Sequence, residues 1–211
     1  MPGKFITFEG IDGSGKSTQL RMLTGALRER GVDLITTQEP GGTPLGRRLR
    51  DAFLETEENV APMAELLLFA ADRAQHVEFL IKPALADGRV VISDRYTDAT
   101  VAYQGAGRGF DEKTVDTVIK LATNGLKPDL TLFFDIPIAA ALARMNARGD
   151  AGEKSNRMDF ETVEFYERVR AAYLDIAKKE PKRFQIIDAG GSVDEIQRHV
   201  LEIVISSLKI D

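Results

Sequence analysis

The chain contains no cysteine, which excludes disulfides and thiolate metal sites. It has no apolar stretch approaching the roughly 20 residues that a bilayer-spanning helix needs. Its first apolar run is short and enters a glycine-rich turn, unlike a secretory leader. A cytoplasmic location without membrane attachment is the expectation. A basic excess is also missing. Lys and Arg total 28 against 33 Asp and Glu, a formal net charge of −5, so a general nucleic-acid binder is not expected and any anion site must come from local basic clusters. Repeats, low-complexity tracts and linkers are absent, and 211 residues with 43% hydrophobic content suit one domain over 1–211.

What is present begins at the amino end. An apolar, β-prone run from Phe5 to Phe8 leads into Gly10-x-x-x-x-Gly15-Lys16-Ser17, and the residues after it place Leu20, Leu23 and Leu27 on one helical face. Strand, glycine-rich turn and helix are the context in which this pattern cradles phosphate. Glycines let several N–H groups converge on one anion, and the helix N-terminus adds partial positive charge. Lys16 supplies a mobile full charge, and the Ser17 hydroxyl can ligate Mg²⁺. The candidate cradle is Gly10, Ile11, Asp12, Gly13, Ser14, Gly15, Lys16, Ser17 and Thr18. Asp12 is the awkward member, because a carboxylate beside a phosphate is unfavourable unless it meets a metal or a hydroxyl. A solvent-facing loop acid is the other reading. A guanine-reading Asn/Thr-Lys-x-Asp element is lacking, which argues against a P-loop switch protein.

Further along, Val32 to Thr37 reads as a second buried strand running into the Pro- and Gly-rich loop Gln38 to Pro44. A helical segment with Arg47, Arg48 and Arg50 follows, either a solvated basic face or a phosphate clamp. Pro62 opens a long helix to about Leu80, on which Phe69 and Arg73 share a face. The pair could stack on and hydrogen-bond a flat base. Alternatively, Phe69 is core and Arg73 forms a surface ion pair with Asp72 or Glu78. His76 reads as structural. Arg89 to Ser93 is a third strand ending at Asp94-Arg95-Tyr96, where a carboxylate suits Mg²⁺ or water and an arginine suits phosphate, with a structural ion pair as the rival.

Thr97 to Gly109 carries Thr100, Tyr103 and Gln104 ahead of a glycine-broken loop. Leu130 to Asp135 is a fourth strand, and Pro137 opens a short Ala-rich helix ending near Arg148. The stretch 144–157 holds Arg144, Arg148, Lys154 and Arg157 around two glycines, as a short mobile lid or a plain basic loop. A helix from about Phe160 to Lys179, a fifth strand from Phe184 to Asp188 and a helix from Val193 to Leu208 complete the alternation. The pattern predicts an α/β domain, a parallel sheet of about five strands with helices on both faces. Right-handed crossovers bring the loops at Glu39, Asp94 and Asp188 beside the P-loop.

Several motifs recur in one order: Phe8-Glu9-Gly10 through Thr18, Glu39-Pro40-Gly41-Gly42-Thr43-Pro44-Leu45-Gly46, Phe69-Ala70-Ala71-Asp72-Arg73, Asp94-Arg95-Tyr96, Tyr103-Gln104-Gly105 and Lys127-Pro128-Asp129-Leu130. Over nearly the whole chain this resembles the bacterial thymidylate kinases. The resemblance implies the P-loop kinase fold with a lid at about 144–157, ATP and dTMP as substrates, Mg²⁺, and a homodimer. By it Phe69 stacks on thymine, Arg73 donates to a base oxygen, Thr100 and Gln104 meet the base edge, and Tyr103 crowds the 2′ position. Arg50 and Arg95 hold the acceptor phosphate beside Glu39 and Pro40, and Asp12 faces the sugar 3′-hydroxyl or the metal region, near Asp94. On the donor side Asp188 and Ala189 hold adenine, with Arg144 and Arg157 as further ATP contacts. One group in the family carries a basic residue in the P-loop where this chain has Gly13. This chain is similar to the other group, in which the lid supplies the transition-state arginine, and Arg148 is the best match. With Lys16 and Arg95 it forms the expected catalytic set. Many bacterial members have arginine where this chain has Gln38, so phosphate contact there falls to Arg50 and Arg95. Another deoxynucleotide or deoxynucleoside kinase on the same scaffold is the alternative.

Overall fold

The computed structural model describes residues 3–150 and 157–210, with the side chains of 148–150 left aside. Strand β1, Lys4–Glu9, is buried from Phe5 to Glu9, so both faces of the sheet at its centre are covered. It pairs in parallel with β3, Val90–Asp94, on one side and β4, Leu130–Asp135, on the other. The edges are β2, Leu34–Gln38, and β5, Phe184–Asp188, giving the order β2-β3-β1-β4-β5. Period-two alternation divides the core: Ile6, Phe8, Val90 and Ile92 join one apolar cluster, Phe5 and Val91 a second. The order reverses on either side of β1, and the carboxyl ends of β1 and β3 flank that switch point, where open parallel sheets place their ligands.

The helices between the strands follow local signals. Helix α1, Lys16–Glu29, starts inside the glycine-rich turn and buries Leu23 and Leu27. Thr43 caps α2, Pro44–Leu54, by accepting from the Gly46 N–H. In α3, Pro62–His76, proline occupies the first turn. The strand-to-helix loop before α7, Ile138–Asp150, follows β4 directly. Thr162 caps α8, Val163–Lys179, and a Ser192–Glu195 capping box opens α9, Val193–Leu208. Among the described residues no helix is long and apolar enough to cross a membrane.

Three expectations need correction. The second strand is not a buried one: only Leu34 is fully inside, because β2 lies at the sheet edge with β3 as its sole partner. The helix from Pro62 does not stop near Leu80 but continues through a π-type turn, Val77–Ile81, into α4, Lys82–Ala86. The glycine-broken loop expected directly after Gln104 starts later: α5, Thr97–Thr100, passes into a π-type turn, Val101–Gly107, that holds Gly105 and Gly107 within it. Gly107 is there for packing, since a Cβ would sit 2.6 Å from the Phe165 ring. An additional helix, α6, Glu112–Thr123, was not expected from the sequence, whose β-branched Thr and Val residues weaken helix propensity. Asp111 caps it by accepting from the Thr114 N–H, and Asn124 ends it in the left-handed region.

Candidate active site

The P-loop joins β1 to α1. Gly13 adopts φ +79°, and a Cβ there would stand 2.4 Å from the Ala141 carbonyl oxygen on α7. No side chain, basic or otherwise, fits at this position unless α7 moves. Gly10 is equally confined, with a Cβ 2.8 Å from the Phe134 carbonyl. Lys16 donates from Nζ to the carbonyls of Gly10 (3.0 Å) and Ile11 (3.1 Å). Burial lowers its pKa, so its charge is poorly solvated. Thr18 lies in the first turn of α1, its N–H donating to the Gly15 carbonyl at 3.1 Å.

Ser17 Oγ and Asp94 Oδ2 lie 3.5 Å apart, so the two expected metal ligands are together. The other oxygen, Asp94 Oδ1, is buried without a hydrogen-bond partner among the described residues. Described His, Asp and Glu residues form no group of three or more able to hold a metal. A hydroxyl and one carboxylate fit a hard cation that takes its remaining ligands from phosphate and water, as Mg²⁺ does. Across the P-loop, Arg144 of α7 donates to the carbonyls of Gly13 (3.4 Å) and Ala189 (3.3 Å). It therefore links the cradle to the loop after β5, where Asp188 accepts from the Gly190 N–H at 2.9 Å.

A cavity adjoins the cradle at Asp12. Asp12, Glu39, Pro40, Arg50, Phe69, Arg73, Arg95, Thr100, Tyr103 and Gln104 all line it. These are the residues expected to take the acceptor, gathered from five separate stretches of chain. Leu54, Tyr96, Ala99 and Met158 also line it. Nothing in their spacing marks them, since an apolar wall carries no chemical signature in sequence.

Arg73 is 2% exposed and does not form the surface ion pair considered above. Its Nε donates to Glu39 Oε2 (2.7 Å), Nη1 to Thr100 Oγ1 (2.9 Å) and Nη2 to the Tyr96 carbonyl (3.0 Å). Glu39 Oε1 is held by His76 Nδ1 at 2.8 Å, and His76 Nε2 meets Thr37 Oγ1 at 2.7 Å. His76 is thus structural, as expected, standing behind the arginine. Asp72 accepts from the Gly41 N–H, and burial, with Glu39 beside it, pushes its carboxyl up to about 6. Phe69 is half-buried and meets Phe53 edge-on at 4.9 Å.

At the junction of the two halves, Arg95 adopts φ +72°, a left-handed conformation uncommon outside glycine. Its Nη2 donates to both oxygens of Asp12 at 3.1 Å, and its guanidinium lies 4.9 Å from the Tyr103 ring centre. The awkward P-loop acid therefore faces a cation rather than bare solvent. Tyr103 carries a buried hydroxyl with no partner among the described residues. Arg50 Nη1 donates to the Pro40 carbonyl at 3.0 Å.

Arg157 is not placed at the P-loop, where it was expected as an ATP contact. Its Nη2 donates to Glu65 Oε2 at 2.6 Å and its Nε to the Phe53 carbonyl at 3.3 Å, on the acceptor side. The cause is a fully buried carboxylate at the start of α3, which the sequence did not single out. Arg148 falls in the last turn of α7, and its side chain, with residues 151–156 of the expected lid, lies outside the described residues.

Comparison with known proteins gives the same answer from another direction. The family model described as thymidylate kinase matches residues 8–200. The thymidylate kinase of Geotalea daltonii is 48% identical over 210 residues, covering 98% of either chain. That of Pseudomonas putida strain GB-1 is 47% identical over 201 residues, 95% of this chain and 94% of the other. The crystal structure of thymidylate kinase from Ehrlichia chaffeensis superposes with a TM-score of 0.79 at 35% identity, over 97% of this chain and 100% of that one. The chain belongs to the thymidylate kinase family.

Proposed function

We propose that the protein transfers the γ-phosphoryl group of ATP to dTMP, giving dTDP and ADP. The observation that carries this reading is the cavity in which a half-buried ring, Phe69, an anchored guanidinium, Arg73, and two further arginines, Arg50 and Arg95, line one space open to the P-loop. A pyrimidine ring suits Phe69 and Arg73, and a monophosphate suits Arg50 and Arg95. Tyr103 narrows the sugar position between them.

A phosphate oxygen of dTMP is already nucleophilic, so the site requires no strong general base. The work left to the protein is alignment and neutralisation of charge on the transferring group. Lys16 exchanges its loop carbonyls for phosphate oxygens and can follow the group in flight. Arg95, held rigid by Asp12 and Tyr103, orients the attacking phosphate. Ser17 and Asp94 would hold Mg²⁺, which supplies neutralisation of the β- and γ-phosphate oxygens. Gly13 leaves no room for a cation in the loop itself, which supports Arg148 of the lid as the source of the remaining positive charge. Arg144 and the loop at Asp188 and Ala189 would border adenine.

A second copy of the chain is the proposed partner, supported by the exposed apolar side chains Met63 and Leu67 along α3 and Leu121 on the neighbouring α6. Soluble substrates accord with a cytoplasmic setting. The deciding experiment measures ADP formation with ATP, Mg²⁺ and a panel of nucleosides and monophosphates. Highest kcat/KM with dTMP is expected. Equal or better turnover of dCMP, dUMP or free thymidine would overturn the substrate assignment.

A further inference from the structure

We propose that Glu65 is a positioning residue for base selection, holding the Gln104 amide so that its carbonyl oxygen, and not its NH₂, is offered to the base. The inference deepens the reading given above and rests on it. Glu65 is 0% exposed, sits in the first turn of α3 and does not line the acceptor cavity. Its two oxygens are nevertheless crowded with donors. Oε1 accepts from Gln104 Nε2 at 2.8 Å and Arg108 Nε at 3.1 Å; Oε2 accepts from Arg108 Nη2 at 3.0 Å and Arg157 Nη2 at 2.6 Å. Four N–H groups on one carboxylate fill its lone-pair sites. Burial alone would raise its pKa, but the hydrogen bonds from Arg108, Gln104 and Arg157 outweigh that and hold it below the ordinary carboxylate range.

An ionised carboxylate accepts and cannot donate. The end of Gln104 that faces Glu65 must therefore be the NH₂, which settles by chemistry an orientation that electron-rich N and O atoms leave ambiguous. A planar amide with its nitrogen turned to Glu65 turns its oxygen away, and Gln104 lines the cavity. Arg73, beside it, uses three N–H groups on Glu39, Thr100 and Tyr96, leaving two of its five as donors. The cavity thus presents a donor next to an acceptor. That pair matches the imide edge of thymine, where a carbonyl oxygen stands beside N3–H. Cytosine offers an amino donor to Arg73 and a bare ring nitrogen to the Gln104 carbonyl, two mismatches. An amide released from Glu65 can turn over and present NH₂ to the ring nitrogen of cytosine. One of the two mismatches would then be removed, and selectivity weakened, without any change in a residue that touches the substrate.

Arg108 explains why Glu65 stays in place. It is shared with Glu161 at 2.6 Å and stacks on the Phe165 ring at 4.9 Å, so two carboxylates and two arginines close a neutral cluster. Cluster and amide are joined in one hydrogen-bonded unit with a single acceptor-rich centre.

The test is Glu65→Gln, which replaces an obligate acceptor with a group that can also donate. The ratio of kcat/KM for dTMP to that for dCMP is expected to fall about tenfold or more, carried by KM, with the KM for ATP unchanged. An unchanged ratio in the folded variant overturns the proposal. In a Gln104→Met background, Glu65→Gln should have no further effect on the ratio, and an undiminished effect there would show that Glu65 acts by another route. Wild-type enzyme assayed in parallel separates the two claims, because failure to prefer dTMP in the wild type sinks the substrate reading itself. A preference that survives Glu65→Gln sinks only the role of Glu65.

Discussion

The acceptor half of the site is held together mainly by side chains gripping side chains, whereas the two cations of the donor half, Lys16 and Arg144, rest on backbone. Arg73, Glu39, His76, Thr37 and Thr100 form one buried relay, and Glu65, Gln104, Arg108 and Arg157 another. On the other side Lys16 and Arg144 bind main-chain carbonyls that a nucleotide can replace. The contrast accords with what each half is proposed to recognise. A phosphate is met by any array of N–H groups and a cation, which backbone can supply. A base edge has a particular order of donors and acceptors, and only fully satisfied side chains keep such an order in a low-dielectric pocket. The donor half is therefore expected to be sensitive in rate and tolerant in stability, and the acceptor half sensitive in both.

Lys16→Met should show the largest effect, a fall in kcat on the order of 10³-fold, measured under saturating substrates. Thermal stability should hold or rise slightly, because a poorly solvated charge is removed. A large loss of stability would contradict the contrast. Arg73→Met comes next. It leaves Glu39 buried without its arginine and still hydrogen-bonded to His76 Nδ1, so unfolding free energy should drop by about 3–5 kcal/mol while kcat/KM for dTMP falls about 10²-fold. Normal stability with lost dTMP binding would mean that the relay is not load-sharing.

Glycines test the donor half on its own terms. Gly13→Ala meets both a positive φ and the Ala141 carbonyl, so ATP affinity should weaken about tenfold or more by equilibrium binding. Gly25→Ala, in open space within α1, should stabilise the fold by about 1 kcal/mol with unchanged kinetics. The last test concerns pH. Asp72 keeps its proton up to about 6 in the fold, against an ordinary 3.8. Its contribution to stability is complete below the ordinary value and is lost as pH rises through 6. The stability of Asp72→Asn relative to wild type should therefore grow between pH 4 and 7, to about 2 kcal/mol. A difference that stays flat across that range would place the ionisation elsewhere.

Much of this architecture was legible beforehand because it depends on local pattern. Strands β1, β4 and β5 are marked by short apolar runs, and the helices after Gly15 and at Pro62 by turn and proline. The missed helix, Glu112–Thr123, carries its apolar residues among β-branched ones and is stabilised by packing on α3 that no window of sequence contains. The edge position of β2 likewise reflects sheet order, which depends on all five strands at once.

In the site, the P-loop pattern marked the cradle, whereas the ten residues that line the acceptor-side cavity were implied by the resemblance to the thymidylate kinases. The partners of those residues were not supplied. Arg73 was weighed against Asp72 and Glu78, its sequence neighbours, and found Glu39, 34 positions away. Arg157 was assigned to ATP as part of a basic stretch and found Glu65, 92 positions away. A buried charge is stabilised by whatever the fold brings within about 3 Å, and burial is a property of the assembled chain.

By itself, then, the sequence determined the class of fold and the glycine-rich loop, because those follow from periodicity and residue chemistry, and its resemblance to a family pointed to the groups proposed to read a nucleotide. The tertiary structure alone decided which carboxylate steadies which arginine, that Gly13 is closed to any side chain by Ala141, and that Gln104 turns its nitrogen toward Glu65. Those outcomes depend on distances between residues that are remote in the chain, and hydrogen bonds and steric contacts act only at such distances once the sheet has brought them together.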